Sequence, residues 1–366
     1  MKKLVVIGAS EFQNPLILKA KYMGYETHVF AYETGDIGES TADYFYPISI
    51  VEKEKILEEC RKINPCGIVS IASDLAMLTV NYIAEKLGLV GNSLECTENT
   101  TNKFKMRTKL KENGIYTPKF CLVNKYNFKK VQQELLLPVI VKPTDRSGSR
   151  GINKINDWQE LEHAINEALE VSFNGQIIVE EYIDGEEYSC ECISFNGEHQ
   201  FITITKKYTT GFPNFIETGH IQPATLFGVD EENIKNEIFK VLDALEIKNG
   251  ASHSEFKITN NGDIRIIEVG ARMGGDCIGS DLVELSTGYD FVKGVIQVAT
   301  GEKSVVLKTK SKISCINFIF SEEDYKKMKN IKKTHEKYFV RDKVEKSFNN
   351  QITDSSNRYG FYIMKI

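Results

Sequence analysis

The sequence predicts an α/β protein built from more than one packed unit, and three observations predict it. Short apolar runs alternate with amphipathic stretches over the first 90 residues, the order of a parallel sheet with helices on its faces. From residue 137 the texture changes to closely spaced strands punctuated by Asp184-Gly185 and Asn196-Gly197, both hairpin turn signals. Finally, 366 residues, 41% of them hydrophobic, exceed what one core usually holds.

In the first third, strands are expected at 4–7, 27–31 and 67–71, and helices at 15–23, 53–63 and 75–87. That order places ligands near the carboxyl ends of the strands. A nicotinamide dinucleotide is rejected, because Gly8-Ala9-Ser10-Glu11-Phe12-Gln13 lacks the second and third glycines of GxGxxG. A helix over 100–114 ends at Gly114. A strand over 138–142 is stopped by Pro143, and Asp157 with Glu160 forms a box-like cap for a helix carrying Trp158, Leu161, Ala164, Ile165 and Ala168. Strands follow at 176–183, 187–195 and 200–205, then helices near 231–245 and 282–300. The tail, 305–366, reads as strands around one helix, and no internal repeat is visible.

Composition narrows the function. Net charge is −5 with both signs interspersed, so no clustered basic face for nucleic acid is present. The lysine-rich stretch over 303–346 is broken by Glu and apolar residues and reads as a solvated face. No run of about 18 apolar residues occurs, and the opening apolar run is too short for a signal sequence. Eight scattered cysteines without a CxxC pair fit reduced, partly buried thiols in the cytoplasm, with Cys190 and Cys192 on one face of a strand.

The most informative segment runs from Ser254 to Glu268. Asn261-Gly262 is the favoured centre of a two-residue type I′ hairpin, which places Glu255 directly across the ladder from Glu268. Two like charges so placed repel. A cation between them reverses the sign, and carboxylate oxygens suit Mg²⁺ held together with nucleotide phosphates. Arg272 follows on a glycine-flanked loop, where a guanidinium can reach a phosphoryl group or a carboxylate bidentately. The Gly/Ser loop over 146–151 can cradle phosphate oxygens, with Lys142 supplying a point charge. The GK[ST] ending of a P-loop is absent.

Lys142-Pro143 with its Gly/Ser loop, then Val179-Glu180-Glu181-Tyr182-Ile183-Asp184-Gly185-Glu186-Glu187-Tyr188, then Glu255 and Glu268-Val269-Gly270-Ala271-Arg272, resemble the ordered motifs of the ATP-grasp superfamily. Lys103, ahead of Gly114-Ile115 and Pro118, is similar to that family's first nucleotide lysine. The segment 255–272, with Ser280-Asp281-Leu282-Val283 and Gly288-Tyr289-Asp290 downstream, looks closest to the carboxylate–amine ligase branch that contains amino-acid (dipeptide) ligases.

The resemblance implies an ATP-grasp fold in three parts. These are a Rossmann-like parallel-sheet domain (1–100), a small α+β lid with the adenine hinge (101–185) and a larger α+β C-terminal subdomain (186–366). It further implies an ADP-forming ligase that makes C–N bonds through an acyl phosphate. ATP would be bound by Lys103, Lys142, Ser147, Gly148, the hinge residues Glu180, Glu181 and Ile183, the ribose ligand Glu187, and Lys207, for which Lys206 competes. Mg²⁺ or Mn²⁺ would sit on Glu255 and Glu268, and Arg272 would meet the acyl phosphate. Gly270 departs from the pattern, since many members carry Asn there. Glu217 and His220, in Gly211-Phe212-Pro213-Asn214-Phe215-Ile216-Glu217-Thr218-Gly219-His220, would face a substrate ammonium and a carboxylate or acyl phosphate. A packed loop is the alternative there. Asp276 could attract a cationic substrate group. The expected partners are small carboxylic acids and amines, amino acids among them, with no nucleic acid or membrane; a homodimer is left open. Two other functions stay open as well, a bicarbonate-using carboxylase or carbamoyl-type enzyme and a regulatory nucleotide binder without turnover.

Overall fold

The computed structural model describes residues 1–124, 127–345, 347–349 and 351–366. Lys346, the end of the lysine-rich stretch, lies outside them. The first unit runs β1 (Lys3–Ile7), α1 (Asn14–Tyr22), β2 (Glu26–Phe30), α2 (Ile37–Thr41), β3 (Tyr44–Tyr46), α3 (Lys53–Ile63), β4 (Gly67–Val69) and α4 (Asp74–Leu87). Its four strands pair in parallel in the order β3-β2-β1-β4. Alternation along β1 divides its side chains between two cores. Val5 and Ile7 pack with Ile56, Leu57, Val80 and Ile83 of α3 and α4, while Leu4 and Val6 pack with Leu16 and Ile17 of α1.

The next elements are α5 (Leu94–Thr101), α6 (Lys103–Glu112), β5 (Phe120–Val123), α7 (Val131–Glu134), β6 (Val139–Pro143), β7 (Asn153–Ile155), α8 (Leu161–Val171) and β8 (Ile177–Glu181). The helix expected over 100–114 starts instead at Lys103. Asn102 breaks the chain there, its Oδ1 accepting from the amides of Phe104 and Lys105 at 3.0 and 3.1 Å. Met106 and Leu110 of α6 pack with Tyr188 and Phe256 of the large sheet described below and with Ile238 of the helix over 231–244. Strands β5-β8-β6-β7 form an antiparallel sheet under α8. Asp157 caps a 3-10 turn, Trp158–Glu160, and α8 begins only at Leu161, so Trp158 lies outside the α-helix.

The remaining chain gives β9 (Glu186–Phe195), β10 (Glu198–Thr209), β11 (Glu217–Gln222), α9 (Glu231–Ala244), β12 (Gly250–Ile258), β13 (Ile264–Gly270), α10 (Val283–Thr287), α11 (Phe291–Ala299), β14 (Ser314–Phe318), α12 (Glu322–Thr334), β15 (Phe339–Val344) and β16 (Gly360–Lys365). Eight antiparallel strands order as β13-β12-β9-β10-β11-β14-β16-β15. The single helix expected over 282–300 is two, because Gly288 turns left-handed at φ +77° between them. Phe291, Val292, Val295 and Ile296 of α11 pack beside Leu4, Val6, Leu16 and Ile17. A C-terminal helix thus covers the N-terminal sheet and ties the two units together. Met328 is the one buried residue of α12, in keeping with a solvated lysine-rich face. All eight cysteines are free thiols, and among the described residues no helix is long and apolar enough to cross a membrane.

Candidate active site

Strands β9, β12 and β13 carry most of the candidate side chains on one face. Their register opposes Lys257 to Glu187, Glu255 to Ser189 and His253 to Glu191, so period-2 alternation aims these side chains the same way. Glu255 faces Glu268, as the sequence predicts, although the turn is not the expected one. Neither Asn260 nor Asn261 has positive φ, which excludes type I′. The loop has three residues, with Gly262 left-handed at +82° and the Thr259 amide donating to the Asp263 carbonyl at 3.0 Å. That loop shifts the register by one, and a bulge at Ile267 shifts it back before Glu268. Arg107 of α6, fully buried, donates to the bulge carbonyl of Ile267 at 2.8 Å and to Ile266 at 3.4 Å.

The carboxylate pair is flanked by cations. Lys103 Nζ lies 2.8 Å from Glu268 Oε1 and 2.6 Å from the Arg146 carbonyl. Lys207 Nζ lies 2.5 Å from Glu255 Oε1, 3.5 Å from Glu187 and 3.8 Å from Glu217. Behind Glu255 stands His253, with Nε2 at 3.1 Å and its Nδ1 on the buried Glu191. Burial opposes a charge on His253, but Glu191 and Glu255 outweigh it and raise its pKa to about 9. Glu255 is likewise held well below the usual carboxylate range, since Lys207 and His253 overcome its burial.

Lys142 and Glu180 lie on β6 and β8 of the small sheet. Lys142 Nζ is 2.5 Å from Glu180 Oε1, and the Arg107 fork grips the same carboxylate at 2.9 and 3.3 Å. Burial alone would raise the Glu180 carboxyl; Arg107 and Lys142 hold it at about 2. Burial pushes the Lys142 ammonium below its ordinary value. The Glu180 side chain is thus an internal counter-ion, while the residue itself lines the cavity on the strand expected to hold adenine through its backbone. The Glu181 amide is bound to the Lys119 carbonyl, while Ile183 accepts from Lys257 Nζ at 3.1 Å. Ser147, Gly148, Glu181, Ile183 and Glu187 all line the cavity that also contains Lys103, Lys142, Glu255 and Glu268.

A second cavity adjoins the first and shares Lys103, Glu217, Glu255, Glu268 and Arg272 with it. His220 and Asp276 lie on this side. His220 Nε2 is 3.7 Å from Asp276 Oδ2, and its buried Nδ1 has no partner among the described residues. Asp276 does not wait for a cationic substrate group as expected; Arg358 binds both its oxygens at 2.6 and 3.0 Å. Ser355, just upstream, donates to Glu217. The Arg272 fork is also occupied, by Asp74 of α4, at 2.8 Å from Nε and 2.9 Å from Nη2.

The predicted site residues, Glu180 included, thus converge on two joined cavities, and Lys207 is the lysine inside. Lys206 points away, to Glu186 and the Tyr188 ring. Sequence reasoning missed Asp74, Arg107, Glu191, His253, Lys257 and Arg358. His253 and Lys257 were within reach, since they lie two residues either side of Glu255. Asp74 carried a weaker signal, following a parallel strand's carboxyl end. Arg107, Glu191 and Arg358 carried none.

Residues 135–281 match the ATP-grasp domain family, and the chain has the ATP-grasp fold. Among solved structures, the L-amino acid ligase from Bacillus licheniformis superposes with a TM-score of 0.83 at 23% identity, covering 100% of this chain and 93% of that one. By sequence, the chain is 28% identical over 274 residues to the alanine–anticapsin ligase of Bacillus subtilis, covering 66% of this chain and 58% of that protein. It is 26% identical over 247 residues to the L-arginine-specific L-amino acid ligase of Bacillus subtilis, covering 64% and 59%. The chain thus spans under two thirds of the length of these curated relatives.

Proposed function

We propose that this protein is an ATP- and Mg²⁺-dependent carboxylate–amine ligase that joins amino-acid substrates through an acyl phosphate, releasing ADP. One observation carries the reading: a facing carboxylate pair, the four cations Lys103, Lys142, Lys207 and Arg272 and a second, charge-lined cavity meet at one place. The first cavity suits a nucleotide triphosphate. The second, with Glu217, His220 and Arg272, suits a substrate with two charged ends. The names of the two sequence relatives, both ligases acting on amino acids, support the same class.

The metal fits the residues present. Glu255 and Glu268 already neutralise lysine ammoniums, and no third His, Cys, Asp or Glu completes a cage among the described residues. Mg²⁺ ordinarily takes one or two carboxylates and fills its shell with phosphate oxygens and water. Bound between Glu255 and Glu268, it would supply positive charge to the nucleotide phosphates.

The chain's own groups do the rest. Lys142 and Lys103 bind phosphate oxygens, and Lys207 and Arg272 balance the charge spread over the γ-phosphoryl as it moves to the substrate carboxylate. The substrate ammonium, held beside the acyl phosphate by Glu217, gives a proton to that carboxylate; the free amine attacks the carbonyl carbon, the C–O bond to phosphate breaks, and phosphate takes up the second amine proton as it leaves. Such positioning lowers a barrier by roughly 7–11 kcal/mol. The loop at Ser147 and Gly148, in contact with Ser355, shields the acyl phosphate from water.

The test is an ADP-release screen over amino acids, singly and in pairs, with product mass. The expected product is an amide, one water lighter than its two substrates. Turnover driven by bicarbonate alone, with no effect of any amino acid, overturns the ligase reading in favour of a carboxylating enzyme.

A further inference from the structure

The grip of Asp74 on Arg272 joins parts of the chain 198 residues apart. Asp74 opens α4, whose start is fixed by Ser73, its hydroxyl accepting from the Ala76 amide at 3.2 Å. One residue earlier, Ala72 holds left-handed backbone at φ +57° and donates its amide to the Met273 carbonyl at 3.3 Å. The loop after β4 and the loop after β13 are therefore stitched twice, by that backbone bond and by the ion pair. A non-glycine residue with positive φ is costly and persists only where its surroundings impose it.

Gly270 makes room for the pair. A Cβ at 270 would sit 2.9 Å from Asp74 Oδ1, 3.1 Å from Arg272 Nε and 3.3 Å from Arg272 Cζ. Its φ lies outside the positive range, so the backbone itself accepts other residues. A side chain here would press on the guanidinium–carboxylate pair lying against it, which would have to shift to admit a Cβ. A guanidinium has five N–H donors. Asp74 takes one from Nε and one from Nη2, and the Met273 carbonyl accepts from Nη1 at 3.3 Å. Two N–H groups remain, one on each terminal nitrogen, on a side chain that lines both cavities.

We propose that Asp74 is a positioning residue for the reaction: it fixes the plane of Arg272 so that the free N–H groups face the transferring phosphoryl, and Gly270 leaves the pair the room to take up this geometry. The proposal rests on the ligase reading above. A clamp of this kind matters most when charge develops, because a preset guanidinium needs no reorganisation at that moment. It also makes the phosphate arginine depend on the N-terminal unit, which supplies Asp74 although the nucleotide residues lie elsewhere.

The experiment uses the full chain with Mg²⁺, ATP and the substrates that most stimulate ADP release by the wild type. That first measurement tests the ligase reading by itself, since stimulation by bicarbonate rather than amino acids removes the reading and leaves the clamp testable on the same ADP signal. Asp74→Asn preserves shape and removes charge; Gly270→Ala adds one carbon against the pair and decides the matter if Asp74→Asn does not fold. Each is expected to lower kcat by about tenfold or more, with KM values for ATP and the second substrate within about twofold. A purely structural role would lower the melting temperature and ATP affinity together. Gly270→Asn adds an oxygen beside Glu268 and is expected to lower kcat as well. An unchanged kcat in Asp74→Asn, a raised substrate KM with kcat intact, or a more active Gly270→Asn overturns the proposal.

Discussion

Arg107→Met tests how the hairpin that carries Glu255 and Glu268 is held in register. Arg107 is fully buried and makes four contacts: two with Glu180, at 2.9 and 3.3 Å, and two with the carbonyls of Ile266 and Ile267. Removing one partner of a buried ion pair costs about 3–5 kcal/mol, because the other charge stays buried. Here Lys142 remains at 2.5 Å from Glu180, which places the expected loss near the lower end, at about 3 kcal/mol. With a urea slope of about 3 kcal/mol per molar, the unfolding midpoint should fall by about 1 M. The second consequence is functional. The bulge at Ile267 loses its donor, Glu268 loses its fixed place opposite Glu255, and metal-dependent ADP release should fall further than stability explains at low temperature. The assays are urea denaturation followed by circular dichroism, and ADP release against Mg²⁺ concentration. A midpoint shift below about 0.2 M with an unchanged Mg²⁺ response would refute both the ion-pair accounting and the link between the bulge and the site.

Three more outcomes follow from the same residues. Glu268→Ala should abolish ADP release while leaving the circular dichroism spectrum intact; full turnover by that variant, or by the wild type in excess EDTA, rules out the metal assignment. Lys142→Ala should weaken ATP binding by roughly 1.5–3 kcal/mol, the loss of a charge-assisted hydrogen bond, and calorimetric titration showing unchanged affinity would leave Lys142 as an internal partner of Glu180 alone. Glu180 should make the protein acid-sensitive. Its carboxyl is lowered from 4.5 to about 2, so the stability it contributes is present above pH 4.5 and is lost as pH falls through about 2. That contribution is on the order of 3 kcal/mol, and the stability of Glu180→Gln should vary less with pH between 4.5 and 2. Parallel curves for variant and wild type exclude the low value.

Most of the fold was legible because it is written in short-range patterns. The helix over 53–63 matches α3, and the alternation in β9 and β12 fixed which side chains share a face. Glu255 and Glu268 were paired correctly from local turn chemistry, yet by an incomplete route: a three-residue loop and a compensating bulge replaced the two-residue turn. The partner of the Glu180 side chain was out of reach for another reason. Its motif marks a strand, but its side chain pairs with Arg107, 73 residues earlier.

By itself the sequence determined the alternating and hairpin-rich regions and set Glu255 against Glu268, since these follow from periodicity or from turns a few residues long, while the ordered motifs were legible only through their resemblance to a family. Only the tertiary structure decided the counter-ions. Lys103 reaches Glu268 across 165 residues, Arg358 reaches Asp276 across 82, and Asp74 reaches Arg272 across 198. A charge on a loop declares its sign in the sequence but not its partner. The partner is chosen when separately packed units dock, where burial penalises every ion left unpaired.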